Sequence, residues 1–123
     1  MTPESDDRAP GTPAANPYAR TRTEGGFTVV EAAGEIDLAT AGFFAEHLDA
    51  ATATDEPDVV VDLRHVEFFD CSGLRVLCHA ESRAKERGGR LRLVADRPQL
   101  HRLLRATGLW TRFPPLPVIP RQE

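Results

Sequence analysis

The sequence of 123 residues has only two cysteines, one tryptophan and no long apolar run. Cys71 and Cys78, if they share one helix, would lie about 10 Å apart along its axis, which is too far for a disulfide within the chain. No pair of histidines accompanies them at the spacing of a structural zinc site. No apolar stretch approaches the ~20 residues that a membrane helix needs, and the first residues do not have a signal-peptide layout. We therefore expect reduced thiols, no bound metal, no membrane contact and a cytoplasmic protein.

Charge is divided unevenly along a chain whose net charge is −4. Residues 24–70 contain twelve acidic residues and one arginine, whereas residues 71–113 contain three acidic and ten basic residues. The basic residues alternate with apolar ones, which is typical of solvated helix faces. The acidic total also opposes binding to a phosphate backbone. We expect no direct contact with nucleic acid.

Composition divides the chain into three segments. Residues 1–23 are rich in proline, alanine, threonine and charge and have little to bury, so they predict a disordered tail. Residues 114–123 are punctuated by proline and predict an extended tail rather than a helix. The folded unit is expected at residues 24–113, which is long enough for one domain with its own core.

Apolar spacing within the folded unit predicts strands and helices in alternation. Apolar or alternating runs over residues 27–37, 58–63 and 90–95 each predict a strand, and a further run predicts a buried strand that ends at Phe68 and Phe69. Helical spacing begins near Thr40, which is expected to cap the first helix, then continues over residues 72–87 and again from Pro98. The order predicts an α/β domain, with a mostly parallel or mixed sheet of about four or five strands covered by amphipathic helices.

The stretch EFFDCSGLRVL, residues 67–77, places a carboxylate, a thiol, a hydroxyl and a glycine where a strand gives way to a helix. One interpretation is a helix N-cap supplied by Asp70, Cys71 or Ser72, which contributes about 1 kcal/mol. Another is a nucleophile, but the glycines that a nucleophile elbow requires two residues before and after the serine are missing. The four histidines are scattered and are expected at the surface or its boundary.

Three further stretches accompany this motif: GEIDLATA (34–41), VVVDL (59–63) and RLRLVADRPQLHRLLRATGL (90–109). With the Asp-Cys-Ser-Gly-Leu element at Asp70–Leu74, they make the chain resemble the STAS domain of bacterial anti-sigma factor antagonists over nearly all of residues 24–113. The resemblance implies a non-enzymatic protein, without a cofactor, that binds an anti-sigma factor and so releases a sigma factor for transcription.

The resemblance also implies a switch at Ser72. In that family the serine before Gly-Leu is phosphorylated by the anti-sigma factor, which is itself a serine kinase. A phosphate adds a charge of about −1.5 to −2 at a helix N-terminus that tolerates an anion, so partner binding would be lost while the fold survives. A phosphatase would remove the phosphate and restore binding. We expect the protein to be a monomer or a weak dimer.

The residues expected to bind the partner surround this serine. Asp37 matches a family position on the same surface, and Cys71 replaces the first hydroxyl of the family's common Ser-Ser pair. Phe43, on the predicted outer face of the first helix, is either an apolar anchor for the partner or a boundary residue covered by the N-terminal tail. The predicted set is Asp37, Phe43, Asp70, Cys71, Ser72, Gly73, Leu74 and Arg75. Two alternatives stay open: a STAS scaffold or sensor without a phosphorylation cycle, and a small hydrolase that uses Ser72 or Cys71.

Overall fold

A computed structural model describes residues 11–121, in which one sheet is combined with three helices. The strands are β1 (Ala19–Glu24), β2 (Phe27–Ile36), β3 (Asp58–Phe69) and β4 (Arg90–Val94). The helices are α1 (Ala41–Ala51), α2 (Cys71–Glu86) and α3 (Pro98–Ala106). Strand order is β1-β2-β3-β4, with β1 antiparallel to β2 and the other neighbours parallel. The predicted α/β class and mixed sheet are confirmed, and the sheet has four strands among the described residues.

Both faces of the sheet bury apolar side chains, because successive residues of a strand point to opposite faces. The three helices share one core with one face of the sheet, and Phe44, Leu77 and Leu104 are their fully buried contributions. On the other face, Leu116 and Ile119 of the C-terminal segment pack against a smaller cluster formed by Phe27, Val29, Val60 and Val94. The central strand β3 is therefore covered on both sides, as its continuous apolar run predicts.

The C-terminal segment is extended against the edge of the sheet. The amide of Leu116 donates to the backbone oxygen of Leu93 at 2.9 Å, and the amide of Ala95 donates to the oxygen of Leu116 at 3.0 Å. These bonds occupy part of the exposed edge of β4. The proline-punctuated tail thus lies on the domain through at least residue 119.

The predicted limit of the N-terminal tail at residue 23 is wrong, because β1 occupies Ala19–Glu24. This strand pairs along its whole length with β2, from Ala19 opposite Ala32 to Glu24 opposite Phe27. Its sequence, ARTRTE, has one buried side chain and no apolar face, so backbone hydrogen bonds rather than burial hold it. Residues 1–10 of the predicted tail lie outside the described residues.

The segment around β1 also packs on α1 through His47, which is fully buried rather than at the surface as predicted. Its Nε2 lies 3.1 Å from the backbone oxygen of Ala14, and its Nδ1 lies 2.7 Å from Oγ1 of Thr21. A carbonyl oxygen can only accept a hydrogen bond, so Nε2 is the donor to Ala14. Both polar atoms of the buried ring are satisfied, and the imidazole fastens residues 14–21 to the helix layer.

The end of β3 departs from the prediction at one residue. Phe69 is buried as expected, whereas Phe68 is 52% exposed. The two side chains point to opposite faces of the strand, so only one of them reaches the core beneath the helices. Phe69 packs edge-on against Phe44 of α1, with 6.1 Å between ring centroids.

Candidate partner-binding site

Ser72 lies in the first turn of α2, immediately after β3 ends. Asp70 is the N-cap residue, with extended backbone angles, and its carboxylate accepts a hydrogen bond from the amide of Ser72 at 2.8 Å. The capping interpretation of the motif is therefore correct for Asp70. Ser72 is half-buried, and its hydroxyl forms no hydrogen bond with any residue from 11 to 121.

Gly73 and Leu74 support the site from beneath, since both are buried. A Cβ at position 73 would lie 2.5 to 2.8 Å from three atoms of the Phe69 ring, closer than real Cβ contacts come. Glycine therefore lets the first turn of α2 settle directly on that ring. Both residues position the serine from the buried side of the helix, and Cys71 is exposed beside it.

Asp37 organises the turn that joins β2 to α1. Its Oδ1 accepts hydrogen bonds from the amides of Ala39 at 2.9 Å and Thr40 at 3.2 Å. Thr40 stands at the N-cap position but its side chain makes no capping bond, so the predicted cap is wrong. Its hydroxyl instead donates to the backbone oxygen of Glu35 at 2.7 Å and accepts from the amide of Asp37 at 2.9 Å. The turn is locked from within by both side chains.

The turn after β2 and the cap of α2 meet at one edge of the sheet. Ile36 pairs with Phe69 in the parallel register of β2 and β3, and the amide of Asp70 donates to the oxygen of Ile36 at 3.3 Å. Asp37 and Asp70 thus follow directly after paired residues. Leu38, at the tip of the first turn, is 83% exposed. Leu38 therefore adds an exposed apolar side chain to the edge of the sheet at which Asp37 and Asp70 lie.

A groove of about 400 Å³ runs between α1 and α2 beside this edge. Its wall combines apolar positions with the serine, and the lining residues are Leu38, Ala41, Ala45, Asp49, Ser72, Arg75, Val76 and His79. Of the predicted set, the groove brings together only Ser72 and Arg75. Sequence reasoning missed Leu38, because a single leucine in a turn belongs to no periodic pattern. Ala45 and Val76 were missed because their helical spacing is also that of core positions.

Phe43 lies on a different side of α1 from the groove. It is two residues from Ala41 and from Ala45, which is about half a helical turn, and it is 46% exposed. Its ring stacks on that of Tyr18 with centroids 5.6 Å apart. The side-chain amide of Asn16 donates a hydrogen bond to the backbone oxygen of Phe43 at 3.4 Å. The segment before β1 therefore covers part of this phenylalanine.

Charged side chains on α2 are mostly paired. Arg83 donates to Asp49 across the two helices at 3.1 Å. Glu81, almost fully buried, accepts from Arg112 at 2.6 Å and from Lys85 at 3.0 Å. Burial raises the pKa of Glu81, but the hydrogen bonds from Arg112 and Lys85 outweigh it, so the pKa lies below the usual range. These pairs fix α2 in place and leave Arg75 as an exposed cation on the wall of the groove.

One group of potential metal ligands lies among the described residues, on the sheet face away from the helices, and consists of Glu31, Asp62 and His65. Each carboxylate already has a cationic partner: Arg20 donates to Glu31 at 2.5 Å, and Arg64 donates to both oxygens of Asp62 at 3.0 Å. Because the arginines neutralise the two negative charges, the arrangement fits an ion-pair cluster better than a metal site.

The family model described as Mlab, STAS domain, matches residues 19–117. The chain belongs to the STAS domain family. The match begins with β1, in agreement with the strand that the structure adds to the folded unit. It ends in the segment that lies along β4.

Relatives of this STAS domain carry the names of regulatory antagonists rather than of enzymes. It is 29% identical over 90 residues to an anti-sigma F factor antagonist of Paenibacillus polymyxa, covering 72% of this chain and 77% of that one. It is 34% identical over 82 residues to the anti-sigma-F factor antagonist RsfA of Mycobacterium tuberculosis, covering 65% of this chain and 64% of that one. The crystal structure of an anti-sigma factor antagonist from Mycobacterium paratuberculosis superposes with a TM-score of 0.74 at 32% identity, covering 82% of this chain and 86% of that one.

The resemblance and fold expected from the sequence are thus confirmed, and the names of the relatives agree with the prediction of a non-enzymatic protein. Within residues 11–121, no helix of the STAS domain has the length and apolar character needed to cross a bilayer.

Proposed function

We propose that this STAS domain is an anti-sigma factor antagonist: in its unmodified form it binds an anti-sigma factor over the surface around Ser72, and a sigma factor is released. It acts in the cytoplasm as a monomer or weak dimer. The observation that carries the proposal is the position of the serine. Ser72 is half-buried and lines the groove, and its hydroxyl has no hydrogen-bond partner among residues 11–121. The names of the relatives support the class of partner.

The regulatory step is a phosphoryl transfer from ATP held with magnesium by the anti-sigma factor, which acts as a serine kinase. Oγ of Ser72 forms a bond to the γ-phosphorus, the bond to the departing ADP breaks, and the hydroxyl proton is released. This chain contributes the hydroxyl that receives the phosphoryl group. The nucleotide, the metal and the groups that stabilise the transition state belong to the kinase.

Phosphorylation alters the docking surface more than the fold. The added charge of about −1.5 to −2 stands at a helix N-terminus, where the dipole favours an anion. The phosphate also stands beside the carboxylate of Asp70. It repels an acidic partner surface, and an apolar partner surface cannot replace the water that the phosphate would lose on binding. A loss of ~3 kcal/mol of interface energy weakens association about a hundredfold. Removal of the phosphate by a phosphatase restores binding.

The test is to incubate the full chain with ATP and a kinase-type anti-sigma factor from the same organism, and to map phosphate by mass spectrometry. We expect one phosphate, on Ser72. Ser72→Ala should keep partner binding, and Ser72→Asp should weaken it markedly. Ser82→Asp is the matched control, since it adds the same charge to the exposed side of the same helix outside the groove.

Two results would replace this proposal by the alternatives. If neither substitution at Ser72 changes the affinity for the partner, the protein would be a scaffold or sensor without a phosphorylation cycle. Ester hydrolysis that disappears in Ser72→Ala would favour a hydrolase. His79 shares the groove with the serine, but none of the described hydrogen bonds joins the two side chains.

A further inference from the structure

Arg75 is the cation nearest in sequence to Ser72, and both residues line the groove between α1 and α2. Residues three apart on a helix lie on one face, with about 5 to 6 Å between their Cβ atoms. Arg75 is exposed and forms no hydrogen bond or ion pair with any residue from 11 to 121. Arg83, two turns further along, is held by Asp49 at 3.1 Å. The first turns of α2 therefore present a cation without a fixed partner next to the modifiable hydroxyl.

We infer that Arg75 binds a carboxylate of the anti-sigma factor while Ser72 is unmodified, and that a phosphate on Ser72 forms an ion pair with the same guanidinium and so displaces that carboxylate. This inference rests on the proposed function and names the residue through which phosphorylation weakens partner binding. Modification then acts twice on the interface: it adds a negative charge, and it removes the positive charge that the partner needs.

The local geometry favours the arginine as the ligand of the phosphate. Asp70 already occupies the amide of Ser72 with its carboxylate, so that amide is not available to the phosphate. The carboxylate also repels the new charge. A guanidinium binds phosphate with two parallel hydrogen bonds, and a partner three residues away on the same helix face needs no rearrangement of the backbone. A phosphate in cis therefore competes strongly with a carboxylate from another protein.

The groove indicates the chemistry of the segment that it receives. Leu38, Ala45 and Val76 offer an apolar wall, and Arg75 adds one uncompensated positive charge to it. A partner segment that fits both features carries an apolar side chain next to an aspartate or glutamate. Charge complementarity of this kind sets specificity and association rate as well as affinity.

The capture of the guanidinium is tested without the partner. Phosphoserine is installed at position 72 of the full chain by genetic code expansion, and the phosphate is titrated by ³¹P NMR. A bound guanidinium favours the dianion, so we expect a lower phosphate pKa in the parent protein than in Arg75→Gln. Arg102→Gln, on the exposed side of α3 and outside the groove, is the matched control and should titrate like the parent. Identical titration of the parent and Arg75→Gln would overturn the capture.

The contact with the partner is tested by a cycle of four dissociation constants, with and without phosphate and with arginine or glutamine at position 75. In the unmodified protein, Arg75→Gln should raise the Kd about tenfold, which corresponds to ~1.4 kcal/mol. In the phosphorylated protein the same substitution should change the Kd less than about twofold, because the arginine is already engaged. An unchanged Kd in the unmodified protein, or an equal loss in both states, would overturn the inference.

The two experiments separate this inference from the proposed function. A chain that no anti-sigma factor binds or phosphorylates would defeat the proposed function, while the ³¹P titration would still report on the pairing within the chain. Conversely, partner binding that depends on Ser72 but not on position 75 would leave the proposed function standing and end the inference.

Discussion

Gly73 lies so close to the ring of Phe69 that a methyl group on the glycine would stand 2.5 Å from Cζ. The ring cannot retreat freely, since it also packs against Phe44 in the core. We expect Gly73→Ala to lower the free energy of unfolding by about 1 to 3 kcal/mol, the usual cost of forcing extra volume into a packed site. Urea denaturation followed by circular dichroism measures this change.

Gly42→Ala provides the matched control for this substitution, because Gly42 is also in the first turn of a helix but a Cβ there meets nothing within 4 Å. We expect it to be neutral or to stabilise by up to about 1 kcal/mol through helix propensity. Equal effects of the two substitutions would mean that the contact between Gly73 and Phe69 does not limit the approach of α2.

Apolar patterning was sufficient for the elements that bury apolar side chains. The strands β2, β3 and β4 and the three helices could be predicted because their apolar side chains either recur at a fixed spacing or form a continuous run. β1 could not, since Thr21 and Thr23 alternate with arginines and the strand is held by backbone pairing to β2. The burial of His47 was equally hidden, because its partners Ala14 and Thr21 lie 33 and 26 residues away.

The residues of the candidate site also fall into those that could be predicted from the sequence and those that could not. Ser72 could be identified from a compact motif, and its cap Asp70 is a neighbour in sequence. Leu38 and Val76 come from two different elements and meet only because α1 and α2 pack side by side. A single leucine in a turn has no periodic companion, so its exposure of 83% is visible only in the fold.

Asp37 is expected to act on partner binding through the turn that it holds. Asp37→Ala removes the acceptor for the amides of Ala39 and Thr40, so the free energy of unfolding should fall by about 1 to 2 kcal/mol. Asp37→Asn keeps an oxygen acceptor and should remain within about 0.5 kcal/mol of the parent. If the asparagine variant loses partner affinity without losing stability, the carboxylate contacts the partner directly and the positional role is wrong.

Asp62 makes stability depend on pH in the acid range. Burial raises the pKa of this carboxyl, but the hydrogen bonds and charge of Arg64 outweigh it, so the pKa lies below the ordinary value. A depressed pKa contributes stability above the unfolded value of about 3.9, and this contribution is lost as the pH falls through the folded pKa. Asp62→Asn should therefore be destabilised at neutral pH, and its difference from the parent should shrink below about pH 4.

Free energies of unfolding measured in urea between pH 7 and pH 2.5 test this dependence. The exposed Asp55 supplies the control, since Asp55→Asn removes the same charge from a loop at the surface. It should leave the pH profile of the parent unchanged. A constant difference between Asp62→Asn and the parent at all pH values would mean that the pair with Arg64 does not couple protonation to folding.

Leu38 and Phe43 are two exposed apolar residues on opposite sides of the start of α1, and comparing them locates the partner. Leu38 is 83% exposed and lines the groove, so Leu38→Ser should leave stability within about 0.5 kcal/mol and raise the Kd for the anti-sigma factor about tenfold. Phe43→Ser loses the stacking on Tyr18 and should cost about 1 kcal/mol of stability with less than a threefold change in Kd. Calorimetric titration and urea denaturation of both variants measure the two quantities. A larger loss of affinity in Phe43→Ser than in Leu38→Ser would place the docking surface on the other side of α1, where Phe43 and not Leu38 would contact the partner.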